Sequence, residues 1–172
     1  QLAQGKQVLF LLPEIALTTQ LIQRLRKYFG AKVGVYHSRF NQNERIEIWN
    51  ALLQNDTSQF QIILGARSSV FLPFRNLGLV IVDEEHESSF KQYDPSPRYN
   101  GRDVGIVLAS MFKAKVLLGS ATPAVETYYN ATTGKYGLVS LKERFGNLML
   151  PEILTANIKQ EKKSKTMQSD FS

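Results

Sequence analysis

Five short runs of apolar residues constrain this chain more than any other feature. They are residues 7–12 (QVLFLL), 32–36 (KVGVY), 61–64 (QIIL), 77–82 (LGLVIV) and 115–118 (KVLL). Most are solidly apolar rather than alternating, which is the pattern of strands buried on both faces. Helical spacing fills the gaps between them. Leu17, Leu21, Ile22, Leu25 and Phe29 recur on one face before Gly30 stops the helix. Asn41 and Glu44 form a capping box ahead of a second helix bearing Ile46, Ile48, Trp49, Leu52 and Leu53. Trp49 is expected in the core beside Ile46 and Leu53. Residues 104–112 read as a third helix. Pro123 suits the first turn of a fourth, which runs to about Thr132, and residues 138–141 read as a last strand. Strands alternating with helices specify an α/β fold: a mainly parallel sheet with helices on both faces.

Parallel strands send their carboxyl ends to one rim, where ligands bind in such folds. Four polar clusters fall at those ends: PEIALT (13–18), GARSS (65–69), DEEH (83–86) and GSATP (119–123). The acidic cluster is the most informative. A carboxylate fixed at the end of a buried strand can hold Mg²⁺, which keeps several waters and takes further oxygens from phosphates. A second carboxylate beside it can orient or deprotonate water. Asp83 is therefore the metal-side candidate and Glu84 the water-side candidate; a solvated acidic turn is the bland alternative. His86 lacks any metal-ligand spacing to His37, the other histidine. A hydrogen-bonding relay to Ser120 and Thr122 suits it better, although GSATP also reads as a plain turn into a helix. His37, in VYHS (35–38), is expected in a surface turn.

Residues 88–102 interleave Phe90, Tyr93 and Tyr99 with Lys91 and Arg98, broken by two prolines. Aromatic faces can stack bases while cations hold phosphates, so a single-strand sensor is one reading. Aromatics packed beneath a proline-rich loop is the other. The net charge of +6 permits a polyanionic partner but is equally that of an ordinary basic surface. The absence of cysteine excludes disulfides and thiolate metal sites within these residues and suits a reducing cytoplasm. No apolar run reaches the length of a membrane span. The chain opens on Gln1 rather than Met and is expected to be a piece of something longer. Residues 154–172, with the mixed charges of KQEKKSK (159–165), are expected to be a linker or disordered tail, leaving 1–153 as one domain. No phosphate-binding G-x-x-x-x-G-K-[S/T] string occurs anywhere in the chain.

PEIALT, DEEH and GSAT resemble motifs Ia, II and III of superfamily 2 DNA helicases, with GARSS in the place of motif Ib. The nearer likeness is to the PriA family of bacterial replication-restart helicases. It is carried by LLPEIALTTQL (11–21), VYHSRFNQNERIEIW (35–49), residues 65–103 and LLGSATPAVETYYNATTGKY (117–136). The resemblance implies a RecA-like first lobe of a bacterial, cytoplasmic, ATP- and Mg²⁺-dependent helicase moving 3′ to 5′. Its partners would be single-stranded and forked DNA and replication-restart proteins. The Walker A loop would lie upstream of Gln1. The second lobe and a cysteine-rich zinc insertion would lie downstream of Ser172. Asp83 would hold Mg²⁺, and Asp83 with Glu84 would face the nucleotide. His86, Ser120 and Thr122 would couple hydrolysis to movement. Pro13, Thr18, Gly65, Arg67 and Ser68 would contact the DNA backbone, and Phe90, Lys91, Tyr93, Arg98 and Tyr99 would sense the strand. Gly101, where the chain departs from the family pattern, is expected to loosen that loop. The isolated chain is expected to be nearly inert. Without a neighbouring Walker A strand, strand 115–118 is expected to expose an edge that invites self-association. A DNA- or protein-binding module without activity, or a lobe of another superfamily 2 translocase, remain the competing readings.

Overall fold

The computed structural model describes residues 1–13, 19–37, 41–143 and 158. The chain divides into two compact units, Gln1–Tyr136 and Gly137–Ser172. In the first unit the apolar runs form β1 (Gln7–Leu11), β2 (Val33–Tyr36), β3 (Ile62–Gly65), β4 (Leu77–Asp83) and β5 (Lys115–Gly119). All pair in parallel, in the order β2-β3-β1-β4-β5. Between them lie α1 (Thr19–Phe29), α2 (Gln42–Gln54) and α3 (Gly101–Met111), and α4 (Val125–Thr132) follows β5. This is the RecA-like architecture that the motif order implies.

Successive strand residues point to opposite faces, and each face has its own core. Leu9, Leu11, Ile63, Val80 and Val82 pack with Ile48 and Leu52 of α2, Ala109 of α3, and Phe90. Val8, Leu12, Val33, Val35, Ile62 and Leu64 pack with Ile22 of α1 on the other side. Helix boundaries follow local chemistry. Gly30 takes a left-handed conformation (φ 58°) directly after α1. The Asn41 side chain accepts a 3.0 Å hydrogen bond from the Asn43 amide and caps α2.

Several expectations change. Trp49 is not in the core: it is 43% exposed, with Ile46 and Leu53 similarly exposed. Helix α2 carries two apolar stripes, and the sheet takes Ile48, Ala51 and Leu52. Trp49 and Ile46 instead line a shallow groove with Tyr36, Gln42 and Arg45. His37 is buried rather than in a surface turn, because β2 carries the chain inward right up to it. Residues 138–141 form no strand; Leu138, Val139 and Leu141 are exposed and extend no described sheet. The expected tail, 154–172, lies outside the described residues except for Ile158.

The two sheet edges differ in cover. Three of the four residues of β2 are buried, whereas β5 runs open, with Val116 and Leu117 exposed. Its neighbour α4 buries no residue at all. An apolar parallel edge of this kind is a template for another strand. The 172-residue chain is therefore expected to associate with itself at high concentration, and Leu117→Lys is expected to shift it toward monomer. Light scattering checks this: a wild-type sample that stays monomeric as concentration rises overturns the expectation.

Candidate functional site

Because every strand is parallel, the ends of β1, β3, β4 and β5 open onto one rim. Asp83, the last residue of β4, pairs with Gly119, the last of β5. This register sets the acidic turn beside the glycine-serine turn. Asp83 Oδ1 accepts from the Glu84 amide at 3.1 Å. Glu84 then adopts φ 48°, a left-handed backbone rare for a side chain without special local bonding. That turn aims the exposed Glu84 carboxylate off the rim. His86 Nδ1 lies 2.7 Å from Ser120 Oγ and 3.6 Å from Glu84 Oε2, and its Nε2 lies 3.4 Å from Thr122 Oγ1. Ser120 Oγ also accepts from the Thr122 amide at 3.0 Å, holding the second turn in shape. Asp83, Glu84, His86, Ser120 and Thr122 are thus one cluster.

Among the described residues no three acidic or histidine side chains converge as a metal cage. The donor set at Asp83 suits a magnesium ion that keeps its waters and takes its remaining ligands from phosphate. The nucleotide phosphates fit these residues less well, since the chain has no glycine-rich lysine loop to cradle them.

The loop after the acidic turn is ordered by its own side chains. Lys91 and Asn100 bridge its base, and the Gln92 amide donates to the Tyr99 carbonyl at 2.8 Å. Gln92 Nε2 donates to the carbonyls of Pro95 and Pro97, and Lys91 Nζ to that of Arg98. Tyr93 and Arg98 project into solvent at the tip. Tyr99 is partly buried and meets the Phe71 ring edge-on, with centroids 4.9 Å apart. Burial pushes the Tyr99 phenol above its usual pKa, while the Arg67 cation pulls it partly back. Arg67 Nη1 also donates to the Ser89 carbonyl at 3.1 Å, tying GARSS to the loop.

Four expected DNA contacts fare differently. Phe90 is 1% exposed and is a core residue, so it cannot stack a base here. Its ring anchors the loop because the turn after His86 folds back over the sheet. Gly65 is buried between β1 and β2, with its carbonyl accepting from the Leu12 amide. A Cβ there would overlap the Ser69 hydroxyl and press on the Tyr36 carbonyl, so its smallness serves packing. Pro13 is buried and has no amide hydrogen to offer a phosphate. Thr18 lies outside the described residues. Gly101 does not loosen the loop. It is buried at the start of α3, where a Cβ would come within 3.0 Å of the Arg67 backbone. Arg67 is half-buried and Ser68 exposed.

The residue that motif reading passed over is Glu85. Its carboxylate is 1% exposed and accepts from Ala124 N (2.7 Å), Thr127 Oγ1 (2.8 Å) and Arg102 Nη1 (2.9 Å). One weak signal was available: the last of three acids after a buried strand sits in a tight turn between two rim candidates, Glu84 and His86. Its partners on α3 and α4 had no signal, being 17 to 42 positions away.

The strain at Glu84 is testable. Glu84→Gly removes the left-handed penalty, of order 1 kcal/mol, and is expected to raise the melting temperature by about 2–4 °C. A lower melting temperature overturns the view that this side chain is held against its backbone preference.

Comparison with known proteins gives the family. Residues 1–131 match the family model described as DEAD/DEAH box helicase. Replication restart protein PriA of Rickettsia felis is 46% identical over 164 residues, covering 95% of this chain and 25% of that protein. PriA of Bacillus subtilis is 41% identical over 160 residues, covering 93% of this chain and 19% of that protein. A solved RecG bound to a three-way DNA junction aligns over 76% of this chain and 16% of that one, at 24% identity and a TM-score of 0.48. The chain spans about a quarter or less of the curated relatives named here. With a family model covering the whole sheet and both turns of the rim, the chain belongs to the DEAD/DEAH box helicase family.

Proposed function

We propose that this chain is the motif II and III portion of a bacterial replication-restart helicase, one that hydrolyses ATP to move 3′ to 5′ along single-stranded DNA at forks. The observation that supports it best is the His86 bridge. One imidazole spans the acidic turn after β4 and the hydroxyl turn after β5. A change at Glu84 is thereby felt at Ser120 and Thr122. The likeness to PriA supports the replication-restart context; the 3′-to-5′ direction follows from the motif resemblance alone.

In this reading Asp83 holds the magnesium ion, and Glu84 accepts a proton from, or orients, the attacking water. When bound, the metal neutralises charge on the transferring phosphoryl group. Glu84 is exposed on a strained turn, while Val82, two residues before it on β4, is buried. The carboxylate therefore has a fixed origin and a free reach. Arg67, Ser68, Lys91, Tyr93, Arg98 and Tyr99 form the DNA-facing set, with the exposed Tyr93 and Arg98 at the tip as the first point of contact. Such contacts position a strand without reading its sequence.

In the full-length protein, Glu84→Gln is expected to abolish DNA-stimulated ATP hydrolysis while sparing nucleotide binding. Retained turnover removes Glu84 from the chemistry. Tyr93→Ala with Arg98→Ala is expected to raise the DNA concentration needed for half-stimulation by roughly tenfold, on the scale of one stacked base and one phosphate contact. An unchanged DNA requirement overturns the loop's role. The 172-residue chain alone is expected to show no DNA-stimulated hydrolysis in the same assay.

A further inference from the structure

Glu85 has a geometry that the reading of motif II as metal and water chemistry leaves unused. Its side chain points away from the rim into the protein, and its three donors come from two different helices. Arg102 is in the first turn of α3; Ala124 and Thr127 are the N-cap and first turn of α4. Its own amide donates to the Gly119 carbonyl at 3.1 Å, which fastens it to the end of β5 as well.

Each connection has a physical consequence. Helix α4 buries no side chain, and its N-cap residue, Ala124, has no side-chain oxygen. Glu85 therefore caps it from outside, placing a negative charge where the helix dipole favours one. Arg102 lies two residues beyond Asn100, where the aromatic-basic loop ends, and the Asn100 side chain accepts from the Arg102 amide at 2.9 Å. Burial works against the Arg102 charge, but the hydrogen bonds it donates to Asp103 and Glu85 outweigh it and hold the guanidinium more firmly protonated than usual. A buried carboxylate so satisfied is rigid, and its removal would leave Arg102 facing an empty partner. Glu85 also sits between Glu84 and His86 in one tight turn. A displacement of Arg102 thus acts on the backbone that carries Glu84.

We propose that Glu85 is a positioning residue that transmits DNA engagement at the loop, through Arg102, to Glu84 and to the helix after β5. It does not touch the reacting atoms. This rests on the helicase reading above and assigns that reading's coupling a specific route.

The test uses the full-length protein, single-stranded oligonucleotide, and ATP hydrolysis with and without DNA. Arg102→Gln is expected to lower the DNA-stimulated rate roughly tenfold, the scale of one hydrogen bond to a charged group. The basal rate and the half-saturating DNA concentration are expected to stay as in wild type. Arg102→Lys is expected to recover part of the stimulation. Thr127→Val, nearly isosteric, is expected to act in the same direction. The double variant is expected to lose less than the two single losses combined, because both act through one carboxylate. Equal loss of basal and stimulated rates, or fully additive effects, overturns the inference and leaves Glu85 a structural cap. A wild-type protein without DNA-stimulated hydrolysis overturns the helicase reading itself, so the two failures are distinct. Melting temperatures of the variants confirm that each is folded.

Discussion

The parallel ladder between β1 and β4, at the middle of the sheet, is the constraint on which the rest depends. It aligns Leu9, Phe10 and Leu11 with Val80, Ile81 and Val82. Parallel pairing has a directional consequence that antiparallel pairing lacks: every strand must finish on the same side. The chain can then deliver Leu12, Ala66, Glu84 and Ser120 to one rim from segments far apart in sequence. Continuing the same register to β5 puts Asp83 against Gly119. The contact between His86 and Ser120 follows from that alignment, and a slip of one residue would turn it to the opposite face.

What stands on the rim is held from beneath. Phe90 closes the core under the aromatic-basic loop, Arg67 fastens the loop's entry, and Glu85 with Arg102 fastens its exit. The tip stays exposed while the base is fixed. That division suits a segment that must both meet a ligand and report the meeting. The strained Glu84 backbone fits the same economy: a costly conformation is kept where a carboxylate has to leave a buried strand and face outward. At the opposite extreme, β5 and α4 have little cover, and α4 depends on a carboxylate from another element for its cap.

Much of this was legible beforehand, for reasons that can be named. Solid apolar runs mark buried parallel strands, and all five were found with ends displaced by a single residue at most. The pairing of His86 with Ser120 and Thr122 was one of two readings the sequence left open, since GSATP offered hydroxyls at the next strand end but also read as a plain turn into a helix; the structure makes the pairing. Phe90, Gly65 and Pro13 were misread for a shared reason. Motif position says which segment lies near a ligand, but not which of its side chains turn inward. Trp49 failed differently: a helix with two apolar stripes does not declare which of them the sheet will take.

The sequence by itself determined the class of fold, the order of the polar turns and the chemistry available at each. These depend on local periodicity and on residue type, which are present in the chain before it folds. Only the tertiary structure decided the direction of each side chain and the partners of Glu85. A carboxylate becomes a junction between α3 and α4 only when strand pairing has carried Arg102, Ala124 and Thr127 to it, and no local pattern contains that distance.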